Sequence, residues 1–204
     1  GTDLYVGGWF TTAGGAMANY IAKWNGTTWN SLGSGAANGV DDYVYALTAI
    51  GTDLYVGGRF ATAGEVSADR VAKWNGTSWS SLASGAAIGV GDDVNALTVI
   101  GTDLYAGGAF TTAGEDTANY VAKWDGTTWS SLGSGATNGV GNDVYALTAI
   151  GSELYVGGSF TTAGGVGAYY IAKWNGTTWS SLGSGAANGA GGPVSTLNTI
   201  GTNL

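Results

Sequence analysis

The sequence predicts an all-β protein built as a β-propeller of four-stranded antiparallel blades, and three observations support this prediction. The chain of 204 residues divides into four units of 50 residues that align without an insertion, at 1–50, 51–100, 101–150 and 151–200. Each unit has four short stretches rich in Val, Ile, Tyr, Trp and Thr, which are strand-forming residues. The 39 glycines, against a single proline, lack the three-residue period of collagen and therefore indicate tight turns between strands.

The first unit shows how a blade is predicted. Its four strand-like stretches are DLYVGGWF at 3–10, YIAKW at 20–24, TTWNSL at 27–32 and VYALTAI at 44–50. Asn25-Gly26 predicts a two-residue hairpin turn of type I′, because Asn and Gly best tolerate the positive φ that this turn needs at both central positions. No helical period of useful length is present. Four strands repeated every 50 residues are typical of a propeller.

The two ends of the chain predict how the blades close into a ring. The chain begins within the second strand of a blade and ends just after a first strand, VSTLNTI at 194–200. We expect 194–200 to complete the N-terminal blade, so that residues 1–204 form one closed four-bladed domain without a free face between blades. In the alternative, two chains exchange these end strands and form one eight-bladed ring.

Composition excludes several kinds of site. The chain has no Cys and no His, so it cannot supply a thiolate zinc site, a Ser-His-Asp triad or a Cys-His pair. We therefore expect no enzymatic activity, no cofactor and no metal. The net charge is −8 with only six basic residues, which leaves no basic patch for nucleic acid. No apolar run approaches the roughly 18 residues that span a bilayer, so we expect no membrane insertion.

The repeated motif resembles a known family over the whole chain. LYVGG at 4–8, 54–58 and 154–158, with LYAGG at 104–108, is followed by two spaced tryptophans and then Ser-Leu. This pattern resembles kelch repeats and the central propeller of galactose oxidase, and it is closer still to LYVGGxF repeats of bacterial surface proteins and fungal cortical polarity markers. The resemblance implies a secreted or cell-surface protein. It does not imply oxidase activity, because the Cys and His of the galactose oxidase copper site are missing.

Residues that recur in every unit are interpreted as structural. Tryptophans bracket each hairpin turn, and we predict that they pack between blades, the alternative being an array that stacks on sugars. One lysine per unit is expected to lie on a solvated strand face or to pair with the acidic residue at the start of the second strand, the alternative being a ring of charges that binds a ligand. The tryptophans are Trp24, Trp29, Trp74, Trp79, Trp124, Trp129, Trp174 and Trp179, and the lysines are Lys23, Lys73, Lys123 and Lys173.

Positions at which the four units differ predict the functional face. The differences cluster at 15–20, at 40–45 and at residue 9, together with their equivalents in the other units. These loops are expected on one face of the disc, so we predict a non-catalytic binding or adhesion site there, for a carbohydrate or a protein. The alternative is a recently amplified or designed scaffold without a ligand. The candidate binding residues are Trp9, Tyr20, Tyr43, Arg59, Arg70, Tyr120, Tyr169, Asp42, Asp93 and Asp143.

Overall fold

The computed structural model describes residues 3–200 as a series of four antiparallel sheets. We call each sheet a blade, and successive blades pack face to face as in a propeller. The predicted all-β fold of four repeated blades is thus confirmed. The only helical segments in the described part are three single turns of 3-10 helix, at Gly35–Ala37, Gly135–Thr137 and Gly185–Ala187. No helix within 3–200 is therefore long and apolar enough to cross a membrane.

Each blade presents its strands across the sheet in chain order. Blade 1 contains β1 (Leu4–Gly7), β4 (Ile21–Trp24) and β5 (Trp29–Ser31). Blade 2 contains β6 (Val44–Ile50), β7 (Asp53–Gly58), β10 (Val71–Trp74) and β11 (Trp79–Ser81). Blade 3 contains β14 (Val94–Ile100), β15 (Asp103–Gly108), β18 (Val121–Trp124) and β19 (Trp129–Ser131). Blade 4 contains β20 (Val144–Ile150), β21 (Glu153–Gly158), β24 (Ile171–Trp174) and β25 (Trp179–Ser181).

Short hairpins form in the connections between the long strands. In every blade a hairpin of two-residue strands precedes the third long strand: β2 (Thr12–Ala13) with β3 (Ala16–Met17), β8 (Thr62–Ala63) with β9 (Val66–Ser67), β16 (Thr112–Ala113) with β17 (Asp116–Thr117), and β22 (Thr162–Ala163) with β23 (Val166–Gly167). After blade 2, β12 (Ala83–Ser84) pairs with β13 (Ala87–Ile88) in the place of the 3-10 turn that the other units form.

The core lies between blades. We call the face that a blade turns to the preceding blade its leading face, and the opposite one its trailing face. At the first junction, Ile21 and Leu32 on the trailing face of blade 1 pack on leading-face residues of blade 2 such as Val56 and Phe60. The next two junctions repeat these contacts with the equivalent residues. Burial of this apolar surface is the main source of stability.

The hairpin tryptophans of blades 2 to 4 belong to these junctions, as predicted, whereas Trp24 and Trp29 of blade 1 are half-buried. In blades 2 to 4 all six rings are at most 8% exposed. The second tryptophan of each pair also donates its indole N–H to a leucine carbonyl of the preceding blade. These bonds are Trp79 Nε1 to Leu32 O (3.1 Å), Trp129 Nε1 to Leu82 O (3.0 Å) and Trp179 Nε1 to Leu132 O (2.8 Å). The predicted lysine pairs also form, with Nζ 2.8–3.2 Å from a carboxylate oxygen of Asp3, Asp53, Asp103 or Glu153.

The predicted completion of blade 1 by 194–200 is not observed. Blade 1 has three strands, and 194–199 form no strand. The leading face of blade 1 is uncovered as a result: Leu4 is 56% exposed, whereas the equivalent Leu54 is 6% exposed. The physical reason is that this segment starts against blade 4: Val194 N donates to Gly158 O (3.1 Å), and the Val194 side chain packs on Gly157 as Val44 packs on Gly7.

The hairpin is confirmed at Asn25-Gly26, but the predicted turn type is wrong. Trp24 pairs with Trp29, which leaves the four residues 25–28 in the loop. Gly26 has φ of 95°, whereas Asn25 does not have a positive φ, so the turn is not of type I′. Instead, the Asn25 side chain accepts hydrogen bonds from the N–H groups of Thr27 (3.0 Å) and Thr28 (2.8 Å). Side-chain capping of the loop is what selects asparagine here.

The third hairpin has a carboxylate in this capping position, and we expect it to be sensitive to acid. The backbone N–H groups of Thr128 and Thr127 donate to Asp125 and hold the pKa of its carboxyl well below the usual range. A lowered folded-state pKa contributes stability that is complete above the ordinary carboxyl pKa of about 4 and is lost as the pH falls towards the folded-state value. The melting temperature of Asp125→Asn should therefore fall less between neutral pH and about pH 3 than that of the parent does.

The reverse substitution is the matched control for this prediction. Asn75 makes the same two backbone contacts in the second hairpin (2.9 and 2.8 Å). Asn75→Asp should leave the melting temperature at neutral pH nearly unchanged and increase its fall in acid. Melting curves for the three proteins at each pH measure this, and equal acid sensitivity of all three would contradict it.

Candidate functional site

One face of every junction carries three side chains that come from the same 50-residue unit. They are the residue after the second strand, the residue before the third strand, and the residue before the first strand of the next blade. In the first unit these are Trp9, Tyr20 and Tyr43. Backbone hydrogen bonds join these segments. In blade 2, Gly58 N donates to Arg70 O (3.0 Å), and Arg59 N donates to Tyr43 O (2.9 Å). The loops that vary between units therefore converge at each junction.

The first junction carries an aromatic cluster. The ring of Tyr43 has its centroid 5.1 Å from that of Trp9, 5.8 Å from that of Tyr20 and 6.4 Å from that of Tyr45, all in tilted arrangements. Such spacings are typical of aromatic pairs that attract one another. Trp9 nevertheless remains 80% exposed. A supported tryptophan with most of its surface in solvent is available for contact with a ligand.

A strained backbone aims the second member of each cluster. Tyr20, Arg70, Tyr120 and Tyr170 all have positive φ, between 62° and 71°, a region that residues other than glycine rarely adopt. Tyr20 is held there because its N–H donates to Phe10 O (2.8 Å) and its carbonyl accepts from Gly8 N (3.0 Å). Since the conformation recurs in all four units, it is a property of the fold. What changes from unit to unit is the side chain that it presents.

The second junction carries an ionic cluster in the equivalent place. Arg70 Nε lies 3.6 Å from Asp93 Oδ1, and Arg59 Nε lies 3.7 Å from Asp42 Oδ2. Both distances are those of charge pairs and are too long for hydrogen bonds. Arg70 Nη1 donates to Phe60 O (3.4 Å) and its Nε is buried, whereas the Arg59 side chain is largely exposed and keeps donors for other partners. Partial burial, followed by the nearby Asp92 carboxylate, raises the pKa of Asp93. The cluster thus offers both signs of charge beside the aromatic rings.

The two clusters form one continuous surface, which we call the junction patch. Arg59 joins them, because its N–H bonds to Tyr43 and its side chain pairs with Asp42. Tyr45 belongs to the patch as well: burial raises the pKa of its hydroxyl, and the nearby Asp93 carboxylate adds to the shift. The junction patch consists of Trp9, Tyr20, Asp42, Tyr43, Tyr45, Arg59, Arg70 and Asp93.

The structure brings together all but three of the predicted binding residues. Tyr120 and Asp143 belong to the third junction, where Tyr120 is half-buried and packs on the core. Tyr169 is 45% exposed at the far side of blade 4. The residue equivalent to Tyr20 in that unit is Tyr170, which counting in steps of 50 would have found. Tyr45 was also missed, although it lies two residues after Tyr43 and strand alternation would have placed it on the same side.

The junction patch combines aromatic rings with a few charged side chains. Within residues 3–200 no group of three or more acidic side chains is placed to hold a metal ion. Asp41, which precedes Asp42 in the loop before β6, accepts hydrogen bonds from the backbone N–H groups of Ala61 (2.8 Å) and Thr62 (2.9 Å). Aromatic faces beside a few oriented polar groups are what ligand sites generally combine.

Comparison with models of protein families gives no match, and no curated protein matches either. The resemblance to kelch repeats accordingly stays a prediction.

Proposed function

We propose that this protein is a non-catalytic binding module that holds a ligand on the junction patch. The observation that carries the proposal is Trp9, which is 80% exposed and yet supported by Tyr43. Exposed tryptophan surface is costly in water, and interfaces concentrate such residues as anchors. The patch belongs, in this proposal, to a secreted or cell-surface protein with kelch-like repeats.

Carbohydrate is the ligand class that best suits the patch, with a protein surface as the other. A sugar ring presents an apolar face that suits Trp9 and hydroxyl groups that suit the carboxylates and guanidinium groups of Asp42 and Arg59. These groups are 3.7 Å apart and partly exposed, so both keep hydrogen-bonding capacity. The proposed partners are glycans or proteins, and the chain would present the patch as a monomer or as a homodimer that exchanges end strands.

Replacing Trp9 with alanine tests this proposal. A screen of the parent on a glycan array identifies the sugar, and titration calorimetry then measures its affinity. We expect Trp9→Ala to weaken binding at least tenfold, which is about 1.4 kcal/mol, while the melting temperature stays within error of the parent. The stability should hold because the indole is largely exposed.

The control for this experiment is an exposed aromatic residue away from the patch. Tyr145, 36% exposed, is the equivalent of Tyr45 at a junction without the aromatic cluster. Tyr145→Ala should bind like the parent. Equal binding by the parent and Trp9→Ala would place the ligand elsewhere and overturn the proposal.

The second candidate function is a symmetric scaffold without a ligand. It is supported by the near-identity of the four units, which extends to the same tryptophan hydrogen bond at each of the three junctions. A scaffold would give no signal on the glycan array and capture no protein partner. That outcome would favour the scaffold over the binding module.

A further inference from the structure

A row of polar side chains crosses the trailing face of each of the first three blades. In blade 2, Tyr55 on β7 lies opposite Lys73 on β10, and Lys73 lies opposite Ser80 on β11. Residues directly opposite one another in antiparallel strands point to the same side of the sheet, and Tyr55 belongs to the cluster packed between blades 2 and 3. The equivalent rows are Tyr5, Lys23 and Asn30 in blade 1, and Tyr105, Lys123 and Ser130 in blade 3. Each row therefore faces the following blade.

Two of these rows form one wall of a groove between blades. Between blades 3 and 4 the groove has a volume of about 220 Å³, with Tyr105 and Lys123 on one wall and Trp174 on the other. The groove between blades 2 and 3 has the equivalent lining and a volume of about 110 Å³. Pockets for drug-sized ligands have roughly 300–1,000 Å³, so each groove suits a single small unit such as one sugar ring.

The tyrosine hydroxyl in each groove has no protein partner. Tyr55 and Tyr105 are each 7% exposed, and burial raises the pKa of both hydroxyls, which therefore stay protonated. Among the tyrosine hydroxyls of residues 3–200, only that of Tyr155 makes a hydrogen bond, which it donates to Glu153 Oε2 (3.2 Å). Blades 2 and 3 have aspartate in the place of Glu153, and its side chain is one methylene shorter. Because buried polar groups are normally paired, the two free hydroxyls indicate a ligand in the grooves.

An ion pair beside each hydroxyl indicates the kind of ligand. Lys73 Nζ lies 3.1 Å from Asp53 Oδ2, and Lys123 Nζ lies 3.2 Å from Asp103 Oδ2. An ammonium group supplies hydrogen-bond donors and a carboxylate supplies acceptors, and a sugar hydroxyl can use both. Each pair has no net charge and the whole chain carries −8, which disfavours an anionic ligand. The grooves therefore suit a neutral compound with several hydroxyl groups.

We propose that each groove is a carbohydrate subsite that takes one pyranose ring. The tyrosine hydroxyl and the lysine ammonium bind sugar hydroxyls, and the tryptophan of the following blade contacts the carbon skeleton of the sugar. No residue of the junction patch lines either groove, so these subsites do not depend on the site of the proposed function. Their repetition makes the chain multivalent, and a glycan with several suitably spaced units binds more tightly than a single unit does.

Saturation-transfer difference NMR with the methyl glycosides of glucose, galactose and mannose tests the proposal on the intact chain. The parent should receive a signal from at least one of these sugars, and titration gives its Kd. The combined variant Tyr5→Phe, Tyr55→Phe and Tyr105→Phe should bind at least fivefold more weakly, because one hydrogen bond per site is lost, while the rings and the melting temperature are kept. Tyr155→Phe is the control and should bind like the parent, since its hydroxyl is already bonded to Glu153. A parent without any signal, or equal binding by the combined variant, would overturn the proposal.

A second variant removes the free hydroxyls without removing any atom from the tyrosines. Replacing Asp3, Asp53 and Asp103 with glutamate copies the arrangement of blade 4, where Glu153 accepts from the tyrosine and still pairs with Lys173 at 2.8 Å. This variant should bind the sugar at least fivefold more weakly than the parent, and unchanged binding would contradict a role for the hydroxyls.

Two further measurements separate the grooves from other sites. Trp9→Ala should keep the glycoside signal of the parent, because Trp9 lies outside the grooves. Loss of the signal in this variant would place the sugar on the junction patch and overturn the groove proposal while supporting the proposed function. Inorganic phosphate at millimolar concentration should not displace the glycoside, and displacement would assign the grooves to an anion instead.

Discussion

Replacing Trp129 with alanine is expected to lower the free energy of unfolding by about 3–5 kcal/mol. The Trp129 ring is 2% exposed and packs 5.4 Å from the Trp124 ring between blades 2 and 3. Its indole N–H donates to Leu82 O at 3.0 Å, so truncation both opens a cavity and leaves a buried carbonyl without its donor. Chemical unfolding followed by far-ultraviolet circular dichroism measures the change.

Trp9→Ala is the control for the Trp129 experiment. It removes the same side chain from a position that is 80% exposed, and we expect a change in unfolding free energy within about 0.5 kcal/mol. If Trp129→Ala instead unfolded like the parent and lost the ligand, the hairpin tryptophans would be binding residues and the junction patch would be wrongly assigned.

Replacing Gly108 with alanine is expected to destabilise the fold by about 3 kcal/mol, at the upper end of what overpacking costs. A Cβ at this position would collide with the carbonyl oxygen of Asp93, and Val94 Cα would lie only 3.1 Å away. Both atoms belong to the backbone of the neighbouring strand, which cannot rotate away as a side chain does. The melting temperature reports the effect directly.

Gly192→Ala is the matched control for Gly108. A Cβ at Gly192 meets nothing within 4 Å, so this substitution should leave the melting temperature nearly unchanged. Similar melting of Gly108→Ala and the parent would show that the first and second strands are further apart than described, and would remove the reason for the repeated glycine doublet.

Much of the fold was predictable because it repeats. The stretch VYALTAI was predicted as a strand at 44–50 and forms β6 over the same residues, since a run of β-formers ends there at a glycine turn. The two-residue strands, such as β2, were not predicted, because two residues carry no periodicity. The three-stranded blade 1 was not predicted either. The pairing of chain ends depends on the rotation at each junction, and no single unit encodes the sum of those rotations.

The candidate site was predictable in its residues and not in its arrangement. Differences between copies singled out Trp9, Tyr43 and Arg70, because residues free from the shared packing pattern stand out against near-identical units. The contacts between these residues could not be predicted. That Trp9 lies beside Tyr43, 34 positions along the chain, depends on blade 1 packing against the start of β6. The capping role of Asn25 was likewise hidden, since Asn-Gly suits several turn geometries.

The clusters at the junctions affect how the loop surface of such a chain can change when a unit is duplicated. Trp9, Tyr20 and Tyr43 meet across two blades but lie within one 50-residue unit, as do Arg59, Arg70 and Asp93. A gene duplication that copies one unit therefore copies a complete triplet of side chains together with the turns that position it. Each copied triplet can then diverge in sequence while the other junctions stay unchanged.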